Sequence, residues 1–199
     1  MPLDILISLA AIAFAASLTP GPNNSMLASS GATYGTFATV PHILGVCLGF
    51  PVMIFLVGLG LGEIFRQLAG LQLSIRVLGA AMMLWIAWKI ATSGRPGQAG
   101  TTSRPLGFFA AAAFQWVNPK SWLAAIAVTS QFVTASEPVK SALIVALVFV
   151  AAGLVSTLAW TLFGQFLGRF LQSESRLRVF NYVMAALLLA FLLPVFLAV

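Results

Sequence analysis

Two prolines, a glycine and two asparagines interrupt the first long apolar segment of the chain, between Thr19 and Asn24. Each proline removes a backbone donor and clashes with the preceding turn, so a helix cannot continue unchanged through this stretch. The carbonyls of the turn from Phe14 to Leu18 and the amides after Pro22 therefore lose their intrahelical partners. Because an unsatisfied backbone group is costly in hydrocarbon, we expect this break to face protein or a wet cavity.

The composition places the chain in a membrane. Of its 199 residues, 60% are hydrophobic and only 7% are charged, and the mean hydropathy is +1.03. This excess predicts one integral domain over residues 1–199, built from several spans of about 20 residues in a lipid bilayer. The net charge of +6 comes mostly from basic residues near span ends, so no nucleic-acid partner is expected. The single cysteine, Cys47, cannot form a disulfide within one chain.

Hydropathy and helix breakers predict an all-α protein with six spans. The first span, 3–18, resumes as a short half-helix over 25–28 that ends at the polar cluster 29–31, and 35–39 forms a turn. A second break, Asn118-Pro119-Lys120, interrupts the fourth span, and 92–105 forms a polar linker rich in glycine and proline. The remaining predicted spans are 40–61, 71–90, 141–167 and 179–198, and the fourth is 106–133.

The two halves, about 1–91 and 106–199, follow the same plan of a broken helix, a glycine-bearing helix and a third helix. Pro20 and Pro119 are 99 residues apart. Since each half has three spans, the second half enters the bilayer from the opposite side, which predicts an inverted repeat with a substrate site between the breaks. The glycine pairs 45/49, 58/62 and 164/168 predict close helix packing. We favour partners within the chain, but a homo-oligomer stays open.

Basic residues near the loops predict the orientation. Six of them, at 89, 95, 104, 169, 176 and 178, lie on the linker side, whereas three, at 66, 76 and 140, lie on the other side. Because cytoplasmic loops carry the excess of Lys and Arg, linker 92–105 is predicted to be cytoplasmic and both termini to lie outside.

Several motifs resemble the LysE/RhtB amino-acid exporters of bacteria. They are Thr-Pro-Gly-Pro-Asn at 19–23, Pro-His-x-x-Gly-x-x-x-Gly-Phe at 41–50, Ala-Trp-Lys-Ile at 87–90 and Asn-Pro-Lys at 118–120. The doubled asparagine at 23–24, with 29–31 and 88–93, is most similar to the cysteine and O-acetylserine exporter branch. The resemblance covers essentially the whole chain. It implies a secondary transporter of the bacterial inner membrane that exports amino acids from the cytoplasm, driven by the proton gradient.

The residues around the breaks predict how an amino acid is held. The half-helix after Pro22 directs its first amides and its positive end at an anionic group such as a carboxylate, and Lys120 adds a full charge. Alternatively, Lys120 snorkels to an interface or saturates loose carbonyls of the fourth helix, and the asparagines cap the broken helix. The predicted substrate-binding residues are Thr19, Pro20, Gly21, Pro22, Asn23, Asn24, Ser25, Gln115, Asn118, Pro119, Lys120 and Ser121.

Acidic residues are absent from the middle of the spans, so small neutral substrates are expected. The resemblance implies that these substrates are cysteine- or O-acetylserine-like, or homoserine- or threonine-like. His42 is the one candidate for proton coupling, although a hydrogen-bonded structural histidine is the stronger interpretation. The rival hypotheses are a membrane-embedded enzyme and an exporter of another small solute or ion. One histidine and one cysteine cannot complete a metal site. We expect no catalytic residue, metal or cofactor.

Overall fold

A computed structural model describes residues 1–93, 104–171 and 173–190 of the chain. The regular structure of these residues is helical. In chain order the helices are α1 (Leu3–Leu18), α2 (Pro22–Tyr34), α3 (Thr36–Leu56), a π-helical turn (Val57–Leu61), α4 (Gly62–Gln67), α5 (Ala69–Ala91), α6 (Phe108–Val117), α7 (Pro119–Phe132), α8 (Pro138–Phe170) and α9 (Glu174–Ala190).

Both predicted breaks are present. α1 and α2 meet at an angle of 57°, and α2 begins with Pro22 in its first turn. α6 ends at Val117, and α7 begins at Pro119 after the extended residue Asn118. Proline fits the first turn of a helix because the amide that it lacks has no intrahelical acceptor there. Pro22 and Pro119 therefore each start the second helix of an interrupted segment.

Among the described residues, three continuous segments are long and apolar enough to cross a bilayer: Thr36–Ile64, Leu73–Ala91 and Pro138–Phe170. The bent pair α1 and α2 makes a fourth when counted as one span. α6 is apolar but has only 10 residues before the second break, and α9 has 17 in the described part of the chain. The count of six spans and the inverted repeat therefore stay predictions. The end of the predicted sixth span and most of the linker lie outside the described residues.

Two predicted boundaries in the first half were wrong. α2 does not end at the cluster 29–31 but continues to Tyr34, because the serines of that cluster are buried between helices and Ser29 bonds to Asn181. The expected turn 35–39 shrinks to Gly35, whose φ of 79° lies in the left-handed region that favours glycine, and α3 begins at Thr36.

One boundary in the second half also differs. The predicted sixth span starts earlier than expected, since α9 begins at Glu174.

The predicted glycine faces pack within this chain. A Cβ added at Gly45 would meet the carbonyl of Phe108, and one at Gly49 would lie 2.6 Å from the Cα of Ala112. These contacts bring α3 against α6. On α8, a Cβ at Gly164 would fall on the carbonyl of Ala28 in α2. Bare glycine backbone therefore sets the close approach of helices from different halves.

Two apolar clusters lie on either side of the breaks. One joins residues of α1, α3, α7 and α8 around Phe149, and the other joins α2, α5, α6 and α9 around Phe114. The helix before the first break, α1, thus shares one cluster with the helix after the second break, α7. The helix after the first break, α2, shares the other cluster with the helix before the second break, α6. This arrangement brings the two breaks together between the clusters.

Candidate functional site

The carbonyls released at the first break bind side chains from other helices. Ser17 O accepts hydrogen bonds from Asn24 Nδ2 at 2.8 Å and from Ser156 Oγ at 2.6 Å. Leu18 O accepts one from Trp160 Nε1 at 3.2 Å. Side-chain donors from α2 and α8 therefore replace the backbone donors that the prolines removed.

Lys120 binds the remaining carbonyls of the first break. Its Nζ donates to Thr19 O at 2.9 Å and to Pro20 O at 3.2 Å, and Asn24 Nδ2 also donates to Thr19 O at 2.9 Å. A Cβ added at Gly21 would lie 2.7 Å from Lys120 Nζ, so a side chain at position 21 would make the lysine side chain shift. The carbonyl-capping role considered for Lys120 is present, and the carbonyls belong to the first break rather than to its own helix.

Asn118 caps the helix that follows the second break. Its Oδ1 accepts from the backbone amide of Lys120 at 3.1 Å, and its carbonyl accepts from the amide of Ser121 at 3.0 Å. Asn118 is 1% exposed, so these bonds form away from solvent. An N-terminal cap of this kind satisfies amides that have no intrahelical acceptor.

A reciprocal amide pair joins the two breaks. Asn23 Nδ2 donates to Gln115 Oε1 at 2.9 Å, and Gln115 Nε2 donates back to Asn23 Oδ1 at 3.1 Å. Ser121 Oγ donates to the same Gln115 oxygen at 3.1 Å. The pair connects residues 92 positions apart and is part-buried, so it holds α2 against α6 at the depth of the breaks.

A cavity of about 70 Å³ lies where the breaks meet. By the measure that a water needs about 10–15 Å³, this is room for about five waters. Its walls come from the two breaks and from α3 and α8. The lining residues are Ala16, Ser17, Gly21, Pro22, Asn23, Asn24, Val46, Phe50, Pro51, Asn118, Lys120, Ser121, Ala124, Phe149, Gly153, Ser156 and Thr157.

Seven of the predicted substrate-binding residues line this cavity, and five do not. The five are Thr19, Pro20, Ser25, Gln115 and Pro119. Gln115 does not line the cavity, but its Oε1 accepts hydrogen bonds from two residues that do, Asn23 and Ser121. The amide of Ser25 donates to Gly21 O at 2.9 Å and so is already used within the helix.

Sequence reasoning missed the contribution of α3 and α8 to the cavity. Ser156 and Thr157 interrupt a helix of high mean hydropathy, and two adjacent hydroxyls there were the signal available in the sequence. Thr157 Oγ1 lies 3.2 Å from Cys47 Sγ. Phe50 and Phe149 resembled any other apolar residue, so nothing in the sequence marked them.

His42 is completely buried in α3, and neither ring nitrogen has a hydrogen-bond partner among the described residues. It does not line the cavity. Buried polar groups are rarely left without a partner, and the exceptions often have a functional reason. The sequence favoured a structural histidine held by hydrogen bonds. Among the described residues His42 makes no such bond, so that prediction is wrong.

Two larger cavities lie away from the central one. The cavity near the linker has about 650 Å³ and is lined in part by Ser29, Lys89 and Arg104. The other has about 310 Å³ and lies beside the π-helical turn, where Gly60 and Glu63 line it. Cavities thus flank the break region on both sides.

The sequence matches the family model described as LysE type translocator over residues 14–198. The chain is 32% identical to a cysteine/O-acetylserine efflux protein of Escherichia coli O157:H7 over 87% of its own length and 88% of the relative's. It is also 32% identical to a protein of the same description from Klebsiella pneumoniae, over 86% of this chain and 87% of that one. A comparison with solved structures found no significant match.

Proposed function

Because the chain belongs to the LysE type translocator family, we propose that it exports small neutral amino acids or their derivatives from the cytoplasm. The observation that carries this proposal is the cavity between the two breaks, which has a cation and amides on one side and apolar residues on the other. Such a cavity suits a small zwitterion with an uncharged side chain. Cysteine and O-acetylserine fit this description, as do homoserine and threonine.

The substrate's carboxylate lies against the first turn of α2 and Lys120. The N-terminus of a helix favours an anion because its first amides lack intrahelical acceptors and its dipole is positive there. Lys120 Nζ lies at the first break, where it donates to the carbonyls of Thr19 and Pro20, and its positive charge there attracts a carboxylate. The side-chain oxygens of Asn23, Asn118 and Ser121 are acceptors for the substrate's ammonium.

A neutral side chain follows from the charges around the cavity. Among the described residues that line it, Lys120 is the one with a formal charge. A lysine or arginine substrate would bury a second cation without a partner, which is costly. This argument supports substrates whose net charge is zero.

The two broken segments act as the first helices of an inverted repeat within six spans. Three observations support this proposal: both breaks restart at proline, they share one cavity, and α1 clusters with α7 whereas α2 clusters with α6. With the linker in the cytoplasm, the cavity lined by Lys89 and Arg104 is the cytoplasmic entrance, and its positive charge favours carboxylate ligands.

His42 couples export to protons. Its burial without a hydrogen-bond partner among the described residues supports this role, since a proton on such an imidazole changes the preferred packing of α3, which also lines the cavity. Transport against a substrate gradient then depends on an imposed proton gradient.

The direct test is uptake of labelled amino acids into inverted membrane vesicles. Cysteine, O-acetylserine, homoserine, threonine, leucine and lysine are compared, and the accumulated label is recovered and identified. We expect unchanged small neutral amino acids to accumulate fastest. Preference for lysine would contradict the proposed substrate class, and recovery of chemically altered substrate would favour an enzyme.

A further inference from the structure

Gly153 of α8 differs from the other glycines of the helix contacts. A Cβ at Gly45 or Gly164 would fall on the backbone of a neighbouring helix, whereas one at Gly153 has its nearest neighbours 4.0 Å away, at the Cα and Sγ of Cys47. Gly153 nevertheless lines the cavity. Close packing therefore does not require glycine here, and its missing side chain leaves room in the cavity.

The wall before Gly153 on α8 and opposite it on α3 is apolar, whereas Ser156 and Thr157 add hydroxyls one turn after Gly153. Phe50 of α3 and Phe149 of α8 form an edge-to-face pair with ring centroids 5.6 Å apart and an interplanar angle of 87°. Phe149 is 1% exposed and lies one helical turn before Gly153. Pro51 adds a third apolar surface that cannot change its backbone conformation freely. This wall cannot adapt easily to a larger ligand.

Most polar groups of the cavity belong to the breaks, and Ser156 and Thr157 of α8 are the exceptions, so the side formed by α3 and α8 is mostly apolar. The amide, lysine and helix end on the polar side suit the carboxylate and ammonium that every amino acid carries. What distinguishes one neutral amino acid from another is its side chain, and the apolar side is where that side chain must lie.

We propose that Gly153, together with Phe50 and Phe149, forms the side-chain compartment of the substrate and sets its upper size limit. This inference rests on the proposed function. It specifies the substrate class as amino acids whose uncharged side chain has only a few heavy atoms. Gly153 is thus a specificity-determining residue rather than a packing residue.

The experiment measures the flux ratio of O-acetylserine to alanine in inverted vesicles for the wild type, Gly153→Ala and Gly153→Val. A methylene in an apolar pocket changes discrimination by about tenfold to 200-fold. We expect the ratio to fall by at least about tenfold in Gly153→Val, with Gly153→Ala between it and the wild type. In the opposite direction, Phe50→Leu widens the compartment and raises the flux of phenylalanine, whose side chain is larger than that of O-acetylserine, relative to alanine.

The matched control is Ala151→Val, which adds bulk to the exposed face of the same helix and leaves the flux ratio unchanged. If the Gly153 variants lower all fluxes in the same proportion, or keep the wild-type ratio, the inference is wrong. If they do not fold, the Phe50→Leu ratio decides, and an unchanged ratio overturns the compartment. A wild type that transports no amino acid would instead refute the proposed function.

Discussion

Lys120 caps carbonyls of the first break and is proposed to bind the substrate's carboxylate, and substitutions can separate these two roles. Lys120→Met removes the donor to Thr19 O and Pro20 O, so the midpoint of thermal unfolding should fall. It also removes the charge for the carboxylate. A charge-assisted contact is worth about 1.5–3 kcal/mol, and about 1.4 kcal/mol corresponds to tenfold, so flux per folded molecule should fall at least about tenfold. Lys120→Arg should recover only part of it, because a planar fork replaces a compact ammonium.

The matched control for Lys120→Met is Trp160→Phe. This change removes the donor to Leu18 O, a carbonyl of the same break, but it removes no charge. We expect a similar loss of stability, about 1 kcal/mol, with flux per folded molecule unchanged. Equal flux per folded molecule in both variants would remove Lys120 from substrate binding and leave it as a cap.

The amide pair between Asn23 and Gln115 should appear as energetic coupling. The changes Asn23→Ala and Gln115→Ala each break both hydrogen bonds, so the double variant should lose less stability than the sum of the single losses. Coupling of about 0.5–3 kcal/mol is typical of contacting residues. Thermal unfolding measures it, and Ser130→Ala, which removes a hydroxyl that donates to Ala127 O of its own helix, provides the additive control with Gln115→Ala. Additive losses for the pair would contradict the contact.

His42→Gln tests coupling in proteoliposomes. The variant should still exchange labelled for unlabelled substrate, because His42 does not line the cavity. Uptake driven by an imposed proton gradient should fall to the level of wild type treated with a protonophore. Undiminished gradient-driven uptake would show that His42 does not couple transport.

At the scale of helices, backbone contact through glycine decides how α2 meets α8 and how α3 meets α6. Leucine at position 164 would collide with the carbonyl of Ala28, and leucine at 45 with that of Phe108. We expect Gly164→Leu and Gly45→Leu to lower the amount of folded protein severalfold, as measured by size-exclusion chromatography.

The control for these two variants is Gly70→Leu. Gly70 lies in α5, and a Cβ added there meets no atom within 4 Å, so the same substitution should leave the folded amount unchanged. Normal abundance and flux in Gly164→Leu would show that the α2–α8 contact is looser than its geometry indicates.

At the scale of the whole molecule, orientation can be tested with two cysteines on opposite faces. In a Cys47→Ser background, cysteine is placed at Gly97, in the linker outside the described residues, or at Ala135, in the exposed loop between α7 and α8. A membrane-impermeant thiol reagent should label Gly97→Cys only in inverted vesicles and Ala135→Cys only in intact cells. The reverse pattern would show that the orientation is opposite to the predicted one. Labelling of both introduced cysteines from the same side would contradict the predicted topology.

The membrane class, the two breaks and the glycine faces followed from the sequence alone. The reason is that each is a local property: apolar composition excludes water, proline cannot continue a helix, and a glycine has no side chain to keep a neighbour away. Polar residues such as Asn23, Gln115 and Lys120 were recognisable for the same reason, because they stand in apolar segments.

Only the tertiary structure decided which groups meet. The carbonyls released at the first break bind Ser156, Trp160 and Lys120, more than 100 residues further along the chain, and no local rule specifies partners at that separation. The serine cluster 29–31 stays helical because α9 supplies Asn181. The apolar wall of Phe50, Phe149 and Gly153 likewise exists only once α3 and α8 pack, since burial depends on the neighbours that a residue acquires.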